Sequence, residues 1–300
     1  MSKLPIFCMI LLLNNLYEAR CDPNNLTTRI VGGYDCSVRL FSFMLSIRET
    51  QSMKHFCGGT LITRSFVLTA AHCTQLYEFH PSMVTAVSGT SEFNPEGLQK
   101  RTARTIFIHK HYNRTDFAND IAVMHLVEPF IINNMIMTIK LPRAPIQQDL
   151  VQVCPEMNVI GWGHRGQWSP DAKISYTYNP VLQCVKIPLM TRTECEEKTT
   201  GTLHHSFVCA MGAIGKDICQ GDDGGPLFCG DTQYGIVSNG FGCGVNERPG
   251  YYTRVDRFLA FIAVATNIPD EPAKKKTSQG VVFFWSTKFI VVFSLFMELI

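Results

Sequence analysis

Gly221-Asp222-Asp223-Gly224-Gly225-Pro226, residues 221–226, decides how this chain is read, together with two earlier stretches, Thr69-Ala70-Ala71-His72-Cys73 and Asn119-Asp120-Ile121-Ala122. A lone His-Cys or Asp-Ile pair carries no information; it is the order of several such stretches along the chain that does. The 300-residue chain around them is 46% hydrophobic and 17% charged, which suits a globular protein that buries a core. A net charge of +2 argues against a nucleic-acid partner held by phosphate neutralisation. Twelve cysteines point to an oxidising compartment. None is spaced Cys-x-x-Cys, so a structural zinc site has little support.

The ends of the chain agree with an extracellular route. Lys3 precedes an apolar run from Leu4 to Leu13, too short to span a bilayer, and residues 1–21 read as a signal peptide. Cleavage after Cys21 places Ala19 and Cys21 at the small-residue positions and removes Cys8 and Cys21, leaving ten cysteines. If Cys21 is retained, one thiol is left over and can join another chain. Residues 22–29 form a short polar propeptide that holds the sequon Asn25-Leu26-Thr27 and ends at Arg29; a second sequon begins at Asn113. A secretory route makes both asparagines glycosylation candidates.

Residues 30–267 carry short β-branched and aromatic runs broken by Gly, Pro and Asn, such as Ser65-Phe66-Val67-Leu68-Thr69 and Tyr234-Gly235-Ile236-Val237-Ser238. That spacing suits antiparallel barrels or sandwiches. Late in the chain Val255, Phe258, Leu259 and Ile262 fall on one helical face, and Pro269 closes the helix. Residues 268–280 are a polar linker with Lys274-Lys275-Lys276. Thirteen of residues 281–300 are Val, Ile, Leu or Phe. They favour insertion by roughly 6 kcal/mol, against about 3 for Lys288 near the centre. A membrane anchor, a GPI signal and a soluble or removed tail all remain open for this segment.

Ile30-Val31-Gly32-Gly33, Gly161-Trp162-Gly163 and Pro249-Gly250-Tyr251-Tyr252-Thr253 complete a set of six stretches in one order. With them the chain resembles the trypsin family of serine proteases from Ile30 to about Asn267. The resemblance implies an all-β fold of two six-stranded antiparallel barrels with a C-terminal helix, and a site in the cleft between the barrels. It implies His72 as general base and Asp120 as its orienter. The nucleophile position holds Asp223 where the family has serine. A carboxylate is a weak nucleophile toward an amide, and losing the nucleophile costs about 10⁶ in rate in a comparable triad enzyme. The backbone N–H groups of Gly221 and Asp223 would form the oxyanion hole and would hydrogen-bond to the carboxylate itself. The expectation is therefore a protein that is not an enzyme.

Other parts of the family pattern are intact. Cleavage after Arg29 would free the Ile30 amine to pair with Asp222. Asp217 matches the carboxylate that receives Arg or Lys, Gly240 and Gly250 match the small walls of that pocket, and Ser238 matches the serine supporting the triad aspartate. Asn239 departs from the family's usual tryptophan and weakens the apolar shelf beside the pocket. The resemblance pairs Cys36 with Cys184, Cys57 with Cys73, Cys154 with Cys229, Cys195 with Cys209 and Cys219 with Cys243. No metal and no cofactor are expected. The expected role is an extracellular binding partner, cofactor or decoy beside active serine proteases or their substrates. The alternatives are an active endopeptidase cleaving after Arg or Lys and a surface-anchored adhesion or receptor-like scaffold.

Overall fold

Strands rich in Val, Ile, Phe and Thr build two antiparallel sheets, and each sheet buries its apolar side chains in a cluster of its own. The computed structural model describes residues 33–88, 99–163, 181–199, 201–212, 218–240 and 248–268. The signal segment, Arg29, Ile30, Asn25, Asp217, Cys243 and the apolar tail lie outside them. The chain divides after Ile268, and every described residue belongs to the first unit.

The first sheet is a closed barrel of six strands: β2 (Met44–Glu49), β3 (His55–Thr63), β4 (Phe66–Thr69), β5 (Val84–Ser88), β6 (Gln99–Ile108) and β7 (Ala122–Leu126), in the order β2-β3-β4-β7-β6-β5. β4 and β7 are buried on both faces. The inner face fills the barrel with Leu45, Ile47, Leu61, Val67 and Met124, while the C-terminal helix covers the outside. That helix begins as a 3₁₀ turn (Val255–Phe258) and continues as α4 (Leu259–Thr266). Val255, Phe258 and Ile262 are all buried against the barrel cluster, which is the face the periodicity marks.

The second sheet has seven strands, β1 (Tyr34–Asp35), β8 (Glu156–Gly161), β9 (Gln183–Pro188), β10 (Phe207–Ala210), β11 (Pro226–Cys229), β12 (Thr232–Asn239) and β13 (Gly250–Arg254), ordered β1-β9-β8-β11-β12-β13-β10. An isolated bridge from Leu189 to Ala210 brings the chain leaving β9 against β10, so six of the seven strands curl back on themselves. The seventh, β1, is a two-residue strand added at β9 and held by the Cys36–Cys184 disulfide. Met157, Val159, Val185, Leu227, Val237 and Tyr252 fill this half.

A third apolar cluster joins the halves: Phe43, Met44, Ile160, Trp162, Leu182 and Phe228. Phe228 meets Phe41 and Phe43 edge-on at 5.5 and 5.2 Å. Burying side chains of this size contributes roughly 1.5–3 kcal/mol each. Among the described residues no helix is long and apolar enough to cross a membrane.

The entry to the C-terminal helix is fixed by a buried ion pair. Arg254 donates through Nε and Nη2 to both oxygens of Asp256, each at 2.9 Å, and the same carboxylate accepts from Ile146 N–H at 2.9 Å. The Asp256 side chain is fully buried and that of Arg254 is 10% exposed. Removing one partner strands the other charge. Asp256→Ala should therefore lower stability by about 3–5 kcal/mol, measured by urea unfolding with the disulfides intact. A loss below about 1 kcal/mol would contradict this account.

Candidate active site

His72 and Asp120 come from opposite ends of neighbouring elements in the first barrel. The chain leaves β4 through Ala70, still extended, and turns into α1 (Ala71–Thr74) with His72 in its first turn. The Cys57–Cys73 disulfide ties that turn to β3. Asp120 precedes β7 in a loop with two left-handed residues, Phe117 at φ 59° and Asn119 at φ 58°. Asparagine tolerates that region, whereas for the bulky Phe117 it is an outlier that surrounding contacts must hold. They do so from both sides. Asn119 Nδ2 donates to His111 O at 2.8 Å, and Asn119 N–H donates to Ser206 Oγ of the second half at 3.1 Å.

Asp120 is fully buried and accepts three hydrogen bonds. His72 N–H donates to Oδ1 at 2.8 Å and His72 Nδ1 to Oδ2 at 2.7 Å. Ser238, near the end of β12, donates to Oδ2 at 2.6 Å. The histidine, the aspartate and the serine named from sequence thus meet at one carboxylate. The Phe117 ring stands edge-on to His72 at 5.5 Å.

Residues 221–226 cross from the second half toward the first. Gly221 and Gly224 have positive φ, 98° and 77°. A Cβ on Gly224 would run into Thr69 Oγ1 and the Gly58 carbonyl, so only glycine lets the turn lie against the first barrel. Gly58 N–H donates to Asp223 O at 2.7 Å, and Gly224 N–H to Val237 O at 2.8 Å. The Asp223 residue is half-buried as a whole with its carboxylate turned inward, where it receives the Gly221 N–H. Asp222 is fully buried and accepts from Gly163 N–H at 2.8 Å and from Cys219 N–H at 3.0 Å.

Charge follows this geometry. Burial alone would disfavour the His72 imidazolium, but the charge and hydrogen bond of Asp120 and the charge of Asp223 outweigh it, and the pKa is pushed up to about 8. Burial pushes the Asp223 carboxyl up; the charge of His72 pulls it down, Asp120 pushes it up further, and the Gly221 N–H pulls it down.

Two residues carry weight in this site that the sequence reading missed. His55 is buried on β3, and its Nε2 donates to Gly221 O at 2.9 Å, bracing the glycine that binds Asp223. Its Nδ1 lies 2.8 Å from Ser46 Oγ. Nothing local in the sequence marks that pairing, which spans 166 positions. Ile218 is also buried, with Cδ1 3.3 Å from where a Cβ on Gly250 would stand; Tyr252 lies 3.5 Å from the same point. Ile218 thus packs against Gly250, the residue matched to one wall of the expected pocket. A large β-branched residue directly after Asp217 was the available signal.

Of the five expected disulfides, Cys36–Cys184, Cys57–Cys73, Cys154–Cys229 and Cys195–Cys209 are formed, with Cα separations of 5.9, 6.2, 6.5 and 6.1 Å. Cys219 is disulfide-bonded; its expected partner Cys243 lies outside the described residues. Among the described residues one cluster has metal-ligating atoms within reach, Cys57, His72 and Cys73, and its two sulfurs are spent on a disulfide. Gly240 N–H is capped by Asn239 Oδ1 at 2.8 Å.

A family model described as Trypsin matches residues 30–262. The chain belongs to the trypsin family. It is 33% identical over 262 residues to the anionic trypsin of Canis lupus familiaris, covering 84% of this chain and 96% of the relative. The anionic trypsin of Bos taurus is 32% identical over 259 residues, with the same coverages. The trypsin of Sus scrofa is 32% identical over 246 residues, 80% of this chain and 96% of the relative. These matches correct the expectation that the chain is not an enzyme. The relatives that align over most of its length are named as trypsins, which are enzymes. Asp223 changes the group at one position of the trypsin-family site, and absence of activity does not follow from that substitution alone.

Two measurements test this description. His72 should titrate with a pKa of about 8 by NMR, and Asp223→Ser should lower that value. A value no higher in the natural protein than in the variant would refute the role given to Asp223. Because the folded value lies above the ordinary 6.5, the linked stability, on the order of 2 kcal/mol, is fully present below pH 6.5 and lost as pH rises through about 8. Second, Ile218→Ser should strengthen benzamidine binding about tenfold, about 1.4 kcal/mol, by calorimetry on a variant whose Tm shows it folded. Unchanged affinity would show that Ile218 does not narrow the pocket.

Proposed function

We propose that this trypsin-family chain is an extracellular protein that engages protein partners in its cleft, as a binding partner, cofactor or decoy beside active serine proteases or their substrates. The observation that carries the reading is the Asp223 carboxylate. It sits at the nucleophile position, takes the Gly221 N–H and reaches His72 with its charge. The groups that would stabilise developing charge on a bound carbonyl are thereby turned toward the protein's own side chain. Asp217 would receive a partner's Arg or Lys between the walls matched to Gly240 and Gly250, and the Ile30 amine released after Arg29 would pair with Asp222. Disulfides at this density support the oxidising compartment.

A second reading, an active trypsin-like endopeptidase cleaving after Arg or Lys, is favoured by the relatives' names and by the intact His72–Asp120–Ser238 network. One comparison separates the two. The natural protein and Asp223→Ser, both cleaved after Arg29, are assayed for turnover of an Arg peptide and for affinity toward a Kunitz-type protein with an exposed Arg or Lys. The binding reading expects affinities within about threefold of each other, under 1 kcal/mol, and turnover at least about 100-fold faster in the serine variant. Natural protein that is free of contaminating protease and turns over as fast as the variant would overturn it in favour of the endopeptidase.

A further inference from the structure

We propose that Asn113 carries an N-linked glycan at the rim of the His72 cleft, and that this glycan admits small ligands while hindering large ones. The proposal rests on the cleft reading above for its consequence, though not for the modification itself. Asn113-Arg114-Thr115 forms an acceptor sequon in the loop between β6 and Asp120. All three residues are exposed. Thr115 N–H donates to Asn113 Oδ1 at 2.9 Å, so the acceptor side chain and the threonine are held together on one turn. Among the described residues Asn113 Nδ2 makes no hydrogen bond, and it is the atom that a glycan takes. In the transfer, Nδ2 displaces the lipid pyrophosphate of a lipid-linked oligosaccharide from the anomeric carbon. The N–C bond forms, the anomeric C–O bond breaks, and one amide proton is lost.

The loop's own bonds fix where that sugar stands. Asn113 N–H donates to Ala118 O at 2.9 Å, closing the loop and setting Asn113 beside the residue that follows Phe117. Phe117 is the residue whose ring meets His72. Ala118 N–H donates to Asp116 Oδ1 at 2.9 Å, and Asn119 is anchored to His111 and to Ser206. The attachment point is therefore carried on a braced segment one step from the cleft wall. A branched, hydrated oligosaccharide at that point covers the rim without entering the site. A small cation passes beneath it; a folded partner, the occupant proposed above, can still enter the cleft but must push the glycan aside and binds more weakly for it.

The test uses the full chain secreted from eukaryotic cells. Peptide N-glycosidase treatment in ¹⁸O water should convert Asn113 to a labelled aspartate, and an unmodified Asn113 in the secreted chain would overturn the proposal. Thr115→Ala removes the sequon but keeps the backbone N–H that makes the turn. Added trypsin should nick this variant after Lys110 or Arg114 about tenfold faster than the natural protein; equal rates would show no shield. Natural protein stripped of glycan by enzyme should match the variant, which guards against a folding effect. Free benzamidine should bind both forms alike, while benzamidine coupled to a large carrier protein should bind the variant about tenfold more tightly, about 1.4 kcal/mol. Equal binding of the coupled probe would overturn the size filter. If free benzamidine binds neither form, the cleft reading fails, and the nicking rates still decide whether the rim is shielded.

Discussion

The site and much of the cleft depend on one buried carboxylate. Asp120 has no exposed surface, and an isolated charge there would be costly. It is tolerated because three donors converge on it, two from His72 and one from Ser238. Hydrogen bonds to a charged group are worth about 1.5–3 kcal/mol each. Ser238 belongs to the second sheet and His72 to the first barrel, so the carboxylate is also a joint between the halves. The neighbouring Asn119–Ser206 hydrogen bond reinforces the same crossing. The left-handed backbone at Phe117 and Asn119 is what aims Asp120 inward at this junction.

That arrangement sets the electrostatics of everything within reach. Asp120 raises His72 and at the same time pushes Asp223 upward, so the imidazole stands between two carboxylates with different tasks. Asp120 is satisfied on all sides and fixes orientation. Asp223 is held more lightly, by the Gly221 N–H and by the charge of His72. His55 braces Gly221 from the opposite side through its carbonyl. One peptide unit of the turn is therefore gripped at its oxygen by a buried histidine, while the N–H of the same residue is given to Asp223.

Much of this was legible in the sequence because it depends on residue identity at ordered positions. The six stretches pointed to the two-part all-β fold. The face formed by Val255, Phe258 and Ile262 is the one the C-terminal helix buries. The convergence of His72, Asp120 and Ser238 followed from the same resemblance. What the sequence hid is what tertiary contact alone decides. His55 reads as one more polar residue opening a strand until Gly221 is placed beside it. Ile218 reads as a core residue, and it is one; its effect on the pocket exists only because Gly250 and Tyr252 stand opposite. The bridge from Leu189 to Ala210 that curls the second sheet carries no local signal either.

The decisive competition in the cleft is therefore for a single N–H. A carbonyl oxygen entering from a bound chain needs the Gly221 donor, and a preorganised donor of this kind is worth roughly 3–4 kcal/mol to developing negative charge. Asp223 already holds it as a charge-assisted hydrogen bond, about twice as strong as a neutral one. A carbonyl entering the cleft competes with that carboxylate for the same donor. Protonating Asp223 weakens its hold, and burial together with Asp120 pushes it in that direction. The charge of His72 pulls the other way without reversing that shift. Occupancy of the donor thus depends on two opposed influences: the charge of His72 favours the ionised Asp223 carboxylate, while burial and Asp120 hold its pKa above the ordinary carboxylate range.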